Sequence, residues 1–139
     1  MTDVLPALVF LCVHNAGRSQ MAAGFARALG GERVRVFSGG SAPAAAVNPA
    51  AVEAMREAGI DLSRAHPQPW TIEAIRAADV VVTMGCGDEC PYVPGVQYED
   101  WQLDDPSGLA IEEVRVIRDD IRGRVERLLE RLGVIPAAE

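Results

Sequence analysis

The chain has 139 residues, of which 49% are hydrophobic and 24% are charged, and this length and composition predict one globular domain over residues 1–139. The formal net charge of −7 argues against nucleic acid or an anionic membrane surface as the main partner, because both would repel the protein. The first apolar run, from Val4 to Val13, is too short to span a membrane and follows no basic segment, so we expect a cytoplasmic protein. In that reducing compartment three cysteines favour catalysis or redox chemistry over a disulfide framework.

The hydrophobic pattern predicts strands that alternate with helices. Asn48 is a candidate N-cap with Pro49 at the first helical position, and Gly133 should end the last helix. Since parallel strands need crossover connections, this alternation implies an α/β fold with a four-stranded parallel sheet flanked by helices. The predicted strands cover residues 7–12, 34–37, 80–84 and 96–99, and the predicted helices cover residues 20–29, 49–58, 71–78 and 111–132.

The junction between the first strand and the first helix is the strongest candidate site. Cys12 ends the strand, and Arg18 and Ser19 open the helix after a five-residue loop. Such a loop aims unpaired backbone N–H groups at one point, where the helix dipole also favours negative charge, so it binds a tetrahedral oxyanion. The same field favours the thiolate form of Cys12 as a nucleophile, and Arg18 can hold two anion oxygens. The predicted oxyanion-binding residues are Val13, His14, Asn15, Ala16, Gly17, Arg18 and Ser19.

Further reactive side chains follow the later strands. Cys86 and Cys90 come after the third predicted strand, and Asp105 comes after the fourth. Because parallel strands end at one edge of a sheet, we expect Cys12, Cys86 and Asp105 to gather there. On a helix the Cα atoms of Cys86 and Cys90 would be roughly 6 Å apart, near the upper end of what a disulfide allows.

The residues leave alternatives open for each of these side chains. Cys12 could be a small buried hydrophobe, and Asp105 could simply form a turn with Pro106. Cys86 and Cys90 have the spacing of zinc ligands, or they could be an inert pair. The two histidines of the chain have no paired spacing, so we predict no metal site, and we predict no cofactor.

The chain resembles the arsenate reductases that are built on the low-molecular-weight protein tyrosine phosphatase fold, and in particular their three-cysteine branch. The likeness is most specific in CVHNAGRSQM at 12–21, VNPAAVEAMREAG at 47–59, the segment 80–91 with its two cysteines, and WQLDDPSG at 101–108. The resemblance implies this fold and an arsenate reductase that acts in arsenic resistance. It also implies arsenate as the substrate and thioredoxin as the reductant.

The resemblance assigns roles to the residues around the loop. It implies that Cys12 attacks arsenate held by the loop amides and by Arg18. Asp105 would protonate the departing oxygen, and Asn15 and Ser19 would brace the loop and stabilise the Cys12 thiolate.

The resemblance also implies a relay of thiols. Cys86 would attack the Cys12 sulfur and expel arsenite, Cys90 would then attack Cys86, and thioredoxin would reduce the remaining disulfide. The segment between the two redox cysteines is two residues shorter here than in the best-studied relatives. Three other hypotheses remain open. The protein could be a reductase that takes its electrons from a low-molecular-weight thiol such as mycothiol or bacillithiol, a tyrosine phosphatase, or an oxyanion-binding protein without activity.

Overall fold

Four parallel strands form the sheet in the computed structural model, which describes residues 5–86 and 89–136. They are β1 (Ala7–Cys12), β2 (Arg35–Gly40), β3 (Val80–Thr83) and β4 (Gln97–Asp100). The spatial order is β2-β1-β3-β4, and every neighbouring pair is parallel. All six residues of β1 are buried, as expected for a central strand that is covered on both faces. The predicted four-stranded parallel sheet is confirmed.

The helices begin and end at recognisable local signals. They are α1 (Arg18–Gly30), α2 (Pro49–Glu57), α3 (Ile72–Arg76) and α4 (Ile111–Arg131). The predicted N-cap of α2 is confirmed, because the Asn48 side chain accepts a hydrogen bond from the Ala50 amide at 2.9 Å. Gly133 follows α4 with φ 72°, a conformation that glycine adopts without strain.

The β2 strand extends further than its sequence pattern predicts. It runs through Ser38 and Gly39 to Gly40, and these three residues pair with the second half of β1. Glycine is needed at Gly39, because a Cβ there would lie 2.8 Å from the backbone of Trp70. The sequence pattern of the two glycines predicts a turn. In the structure they instead let another segment of backbone approach the strand closely.

Alternation along β1 divides the core into two clusters. Leu8, Phe10 and Cys12 belong to the cluster that contains residues of α1, α2 and α4. Val9 and Leu11 belong to the other cluster, which contains Ile75 of α3 and both Cys86 and Cys90. Helices therefore cover both faces of the sheet, with three on the face to which Cys12 points. Within the described residues, no helix is long and apolar enough to cross a bilayer.

The strand order places a crevice at the end of β1. On one side Cys12 pairs with Gly40 of β2, and on the other side Leu11 pairs with Thr83 of β3. The chain therefore leaves β1 at the point where the strand order reverses, which is where open α/β sheets bind ligands.

Candidate active site

The loop after β1 is held by hydrogen bonds to its carbonyl groups. The carbonyls of Val13, His14 and Ala16 accept hydrogen bonds from three amides of the segment 42–48, at 2.8, 3.0 and 2.8 Å. In a trans peptide the N–H points away from the carbonyl of the same peptide unit. The N–H groups that follow these carbonyls therefore point away from the segment 42–48, so they are available to an anion on the other side of the loop.

A buried polar network connects the loop to the Cys12 sulfur. Asn15, with φ 49° and no exposed surface, donates from Nδ2 to Ser19 Oγ at 2.7 Å. Its Oδ1 accepts from Gln20 Nε2 at 3.1 Å and from the Gln68 amide at 3.0 Å. Because Ser19 Oγ already accepts from Asn15, its own proton is free to be donated to Cys12 Sγ, 2.9 Å away. The buried network thus provides a hydrogen-bond donor to the Cys12 sulfur.

The Arg18 guanidinium lies between three segments of the chain. Nη1 donates to the Leu103 carbonyl at 3.2 Å, and Nη2 lies 3.7 Å from Asp105 Oδ2. The third contact is with Gly85, where an added Cβ would lie 2.6 Å from Arg18 Nη1. Gly85 has φ 86°, so glycine is favoured there by both the backbone and the space. Only 11% of the Arg18 side chain is exposed, which increases the effect of its charge on a bound anion.

Asp105 lies at the mouth of the same crevice. Its carboxylate is half exposed, and Oδ1 accepts from the Ser107 amide at 3.0 Å. Asp105 therefore forms the turn that the Asp-Pro pair predicts, and it also lies beside Arg18. Pro106 presses on the loop after β1, because a Cβ at Gly17 would lie 2.7 Å from Pro106 Cγ.

A cavity of about 380 Å³ opens above the loop. Cys12 and the loop residues form its floor, and the segments 44–49 and 105–108 form its walls. This volume accommodates a tetrahedral oxyanion together with water or a small organic group. Arg18 supplies the permanent positive charge of this cavity in a protein whose net charge is −7.

Cys86 and Cys90 form a disulfide whose Cα atoms are 5.7 Å apart, and Cys12 is a free thiol. Cys86 Sγ lies 4.0 Å from the carbonyl oxygen of Leu11, the residue before Cys12. The disulfide thus lies at the same end of the sheet as Cys12. However, it packs in the core cluster on the opposite face, with Leu11. Within residues 5–86 and 89–136, no group of three or more His, Cys, Asp or Glu side chains is arranged to hold a metal ion.

Two parts of the site have weak or no signals in the sequence. Gln20 is a polar residue on the buried side of α1, and that position was a signal that its amide has a specific partner. Gln68 reaches Asn15 through its backbone amide, and a main-chain contact of this kind leaves no mark on residue type. Gly87 and Asp88, which belong to the predicted redox loop, lie outside the described residues.

Fold and site together define a class of α/β proteins with a buried cysteine thiol, a loop held by its carbonyl groups and an arginine at the switch point of a parallel sheet. A family model described as low molecular weight phosphotyrosine protein phosphatase matches residues 7–134. The chain belongs to that family. The predicted likeness to the low-molecular-weight phosphatase fold is therefore confirmed.

Its relatives include several arsenate reductases. A glutaredoxin arsenate reductase from Synechocystis sp. is 40% identical over 131 residues, which are 91% of this chain and 98% of that protein. The solved structure of a thioredoxin-dependent arsenate reductase from Corynebacterium glutamicum matches with a TM-score of 0.80 and 40% identity. The match covers 95% of this chain but only 63% of that protein's chain. An arsenate reductase solved in an oxidized state has a TM-score of 0.81 and 36% identity, with coverage of 92% and 99%.

Proposed function

We propose that this protein is an arsenate reductase that uses Cys12, Cys86 and Cys90 in succession and is regenerated by thioredoxin. The relatives named arsenate reductase support the substrate. The observation that carries the proposal is the disulfide of Cys86 and Cys90, which lies at the end of β1 beside the Cys12 loop. Hydrolysis of a phosphate ester at Cys12 would require no second or third thiol.

The first step takes place in the cavity. Arsenate binds to the N–H groups of the loop and to the Arg18 guanidinium. The Cys12 thiolate attacks arsenic, a sulfur–arsenic bond forms, and an arsenic–oxygen bond breaks. The Asp105 carboxyl group supplies the proton, so that the oxygen leaves as water instead of hydroxide.

The second step transfers two electrons to arsenic. The Cys86 thiolate attacks Cys12 Sγ, and the electron pair of the sulfur–arsenic bond stays on arsenic, which leaves as arsenite. The Cys90 thiolate then attacks Cys86 Sγ and releases Cys12 as a thiolate. The structure has a free Cys12 together with a Cys86–Cys90 disulfide, and this state is the end of the proposed sequence.

The second step also requires a movement. Cys86 packs on the face of the sheet opposite to Cys12, so its sulfur has to pass around the ends of β1 and β3 to reach Cys12. Gly85, with φ 86° and a place directly before Cys86, is the natural joint for this movement because glycine has the widest choice of backbone conformations.

Thioredoxin is the proposed reductant because one relative is named for it, and glutaredoxin is the alternative because another is named for that protein. Both reductants belong to reducing compartments, so we propose a cytoplasmic location.

The test is arsenate-dependent NADPH oxidation in the presence of thioredoxin and thioredoxin reductase. Wild type should turn over many times, whereas Cys12→Ser, Cys86→Ser and Cys90→Ser should not. Cys90→Ser should still release arsenite once, because only the last exchange is blocked. Full activity of Cys86→Ser would instead assign the reduction to an external thiol. Hydrolysis of an aryl phosphate by Cys86→Ser is the matched control, because that reaction needs only the Cys12 loop.

A further inference from the structure

An exposed aromatic side chain lies next to the redox disulfide. Tyr92 is 73% exposed and follows Cys90 by two residues. Leu5 and Val116 are the other exposed large apolar residues in the part of the chain that the structure describes, and neither is close to a cysteine in the sequence. A single exposed apolar residue is ordinary, but Tyr92 differs from the other two because it follows a redox cysteine and contacts a second tyrosine.

Tyr98 of β4 fixes the backbone on both sides of Tyr92. Its hydroxyl accepts from the Val93 amide at 2.8 Å and donates to the Pro91 carbonyl at 3.0 Å. The two tyrosine rings are 5.1 Å apart between centroids, with an angle of 31° between their planes. Tyr92 is therefore held outward by the fold, and a side chain that is already ordered loses little entropy when a partner covers it.

The disulfide is buried and packs together with this segment. Cys86 and Cys90 are 3% and 8% exposed, and Val93 and Tyr98 pack against the core cluster that contains both of them. A protein reductant brings a surface with it, and that surface must meet the residues beside Cys90. Pro91 and Val93 are partly buried, whereas Tyr92 projects from between them. Aromatic side chains of this kind provide much of the binding energy in protein interfaces.

We propose that Tyr92 is the docking anchor for the protein dithiol that reduces the Cys86–Cys90 disulfide. This inference rests on the proposed function and adds to it the surface that the reductase recognises. In the reaction, one thiolate of the partner attacks a sulfur of the disulfide, a mixed disulfide forms, and the other cysteine leaves as a thiolate. The second thiol of the partner then attacks the mixed disulfide. Two electrons and two protons pass to this protein, and the partner becomes a disulfide.

The test compares a protein dithiol with a small one. Oxidised wild type and Tyr92→Ala are mixed with an excess of reduced thioredoxin or of dithiothreitol. The remaining disulfide is followed by acid quench, alkylation and mass spectrometry. For Tyr92→Ala we expect the second-order rate constant with thioredoxin to fall about tenfold, because loss of an interface aromatic residue commonly has an effect of this size. The rate with dithiothreitol should stay within about twofold, since that reagent needs no docking surface.

Two control variants separate docking from other effects. Tyr92→Phe keeps the ring and should behave as wild type with both reductants. Val116→Ala removes an equally exposed apolar side chain from α4 and should also behave as wild type.

Three outcomes would overturn the proposal. Equal rates for Tyr92→Ala and wild type with thioredoxin would show that the side chain does not contribute to docking. Equal slowing with both reductants would show that Tyr92 acts on the disulfide segment itself. Reduction of wild type by dithiothreitol but not by thioredoxin would exclude thioredoxin as the reductant. The single release of arsenite by Cys90→Ser would still test the arsenate chemistry separately.

Discussion

Gly85, directly before Cys86, contacts Arg18 of the candidate anion site, and a pair of glycine variants can test whether this contact positions the guanidinium. In Gly85→Ala the new Cβ would lie 2.6 Å from Arg18 Nη1, so the guanidinium has to move. Gly95 provides the matched control, because its φ of 89° is close to the 86° of Gly85 but nothing lies within 4 Å of an added Cβ.

The two substitutions share one cost and differ in another. Placing a side chain at positive φ destabilises the fold by roughly 1–2 kcal/mol, and both variants should show this loss in a thermal unfolding experiment. Only Gly85→Ala displaces Arg18. A hydrogen bond to a charged group contributes about 1.5–3 kcal/mol, so loss of one such bond to an oxyanion should weaken binding about tenfold or more.

Phosphate is the probe, since it has the same tetrahedral geometry as arsenate, and titration calorimetry at constant ionic strength gives its dissociation constant. We expect wild type and Gly95→Ala to bind phosphate with equal affinity and Gly85→Ala to bind it about tenfold more weakly. If Gly85→Ala bound phosphate as tightly as Gly95→Ala does, the position of Arg18 would not depend on the space that Gly85 leaves for it.

Three further predictions concern the nucleophile, the packing of α2 on α4, and the segment around the disulfide. In Ser19→Ala the Cys12 sulfur loses the hydroxyl 2.9 Å away, so arsenate-dependent NADPH oxidation should slow about tenfold or more. An unchanged rate in a folded variant would show that the hydroxyl does not assist the sulfur. Hydrogen bonds from two arginines of α4, Arg115 foremost, lower the pKa of Glu57 from 4.5 to about 2. A lowered carboxyl pKa contributes stability above the unfolded value of 4.5, and that stability is lost as the pH falls through about 2. The unfolding temperatures of Glu57→Gln and wild type should therefore differ at neutral pH and converge between these two pH values. A difference that stays constant with pH would argue against this linkage. Tyr98→Phe removes two hydrogen bonds, so dithiothreitol should reduce its disulfide severalfold faster than that of wild type, and an equal rate would show that the hydroxyl does not protect the disulfide.

The sequence predicts the sheet well because its central strands are unambiguous. The predicted bounds of β1 agree with the structure, since all six of its residues are apolar and buried. The positions of Cys12 at the end of β1 and of Arg18 at the start of α1 were also predictable, because an apolar run ends at Cys12 and a helical pattern follows Arg18. That the loop between them binds an anion stays a prediction. The extension of β2 through Gly39 and Gly40 was not predictable, because two consecutive glycines are compatible both with a turn and with a strand that another backbone approaches closely.

The direction of the Cys86 side chain could not be predicted either, for a physical reason. Alternation along β1 gives the face of Cys12, because strand residues point to alternate sides. Cys86 comes after the end of β3, and the backbone turns at Gly85 with φ 86°. Alternation no longer applies beyond that turn, so the sequence indicates the edge of the sheet at which Cys86 lies but not the face on which its sulfur packs.

The separation of the two sulfurs by the sheet gives the proposed relay a direction. Once the Cys86–Cys90 disulfide has formed, Cys86 is buried against Leu11 on the face opposite to Cys12. Thiol exchange requires the attacking thiolate to reach a disulfide sulfur, and in this arrangement Cys12 instead lines the cavity that also contains Arg18. Attack by Cys12 that would reverse the last exchange is therefore obstructed. In the proposed relay the electrons for the next turnover would come from a partner that approaches the disulfide on its own face of the sheet, where Val93, the neighbour of Tyr92, also packs.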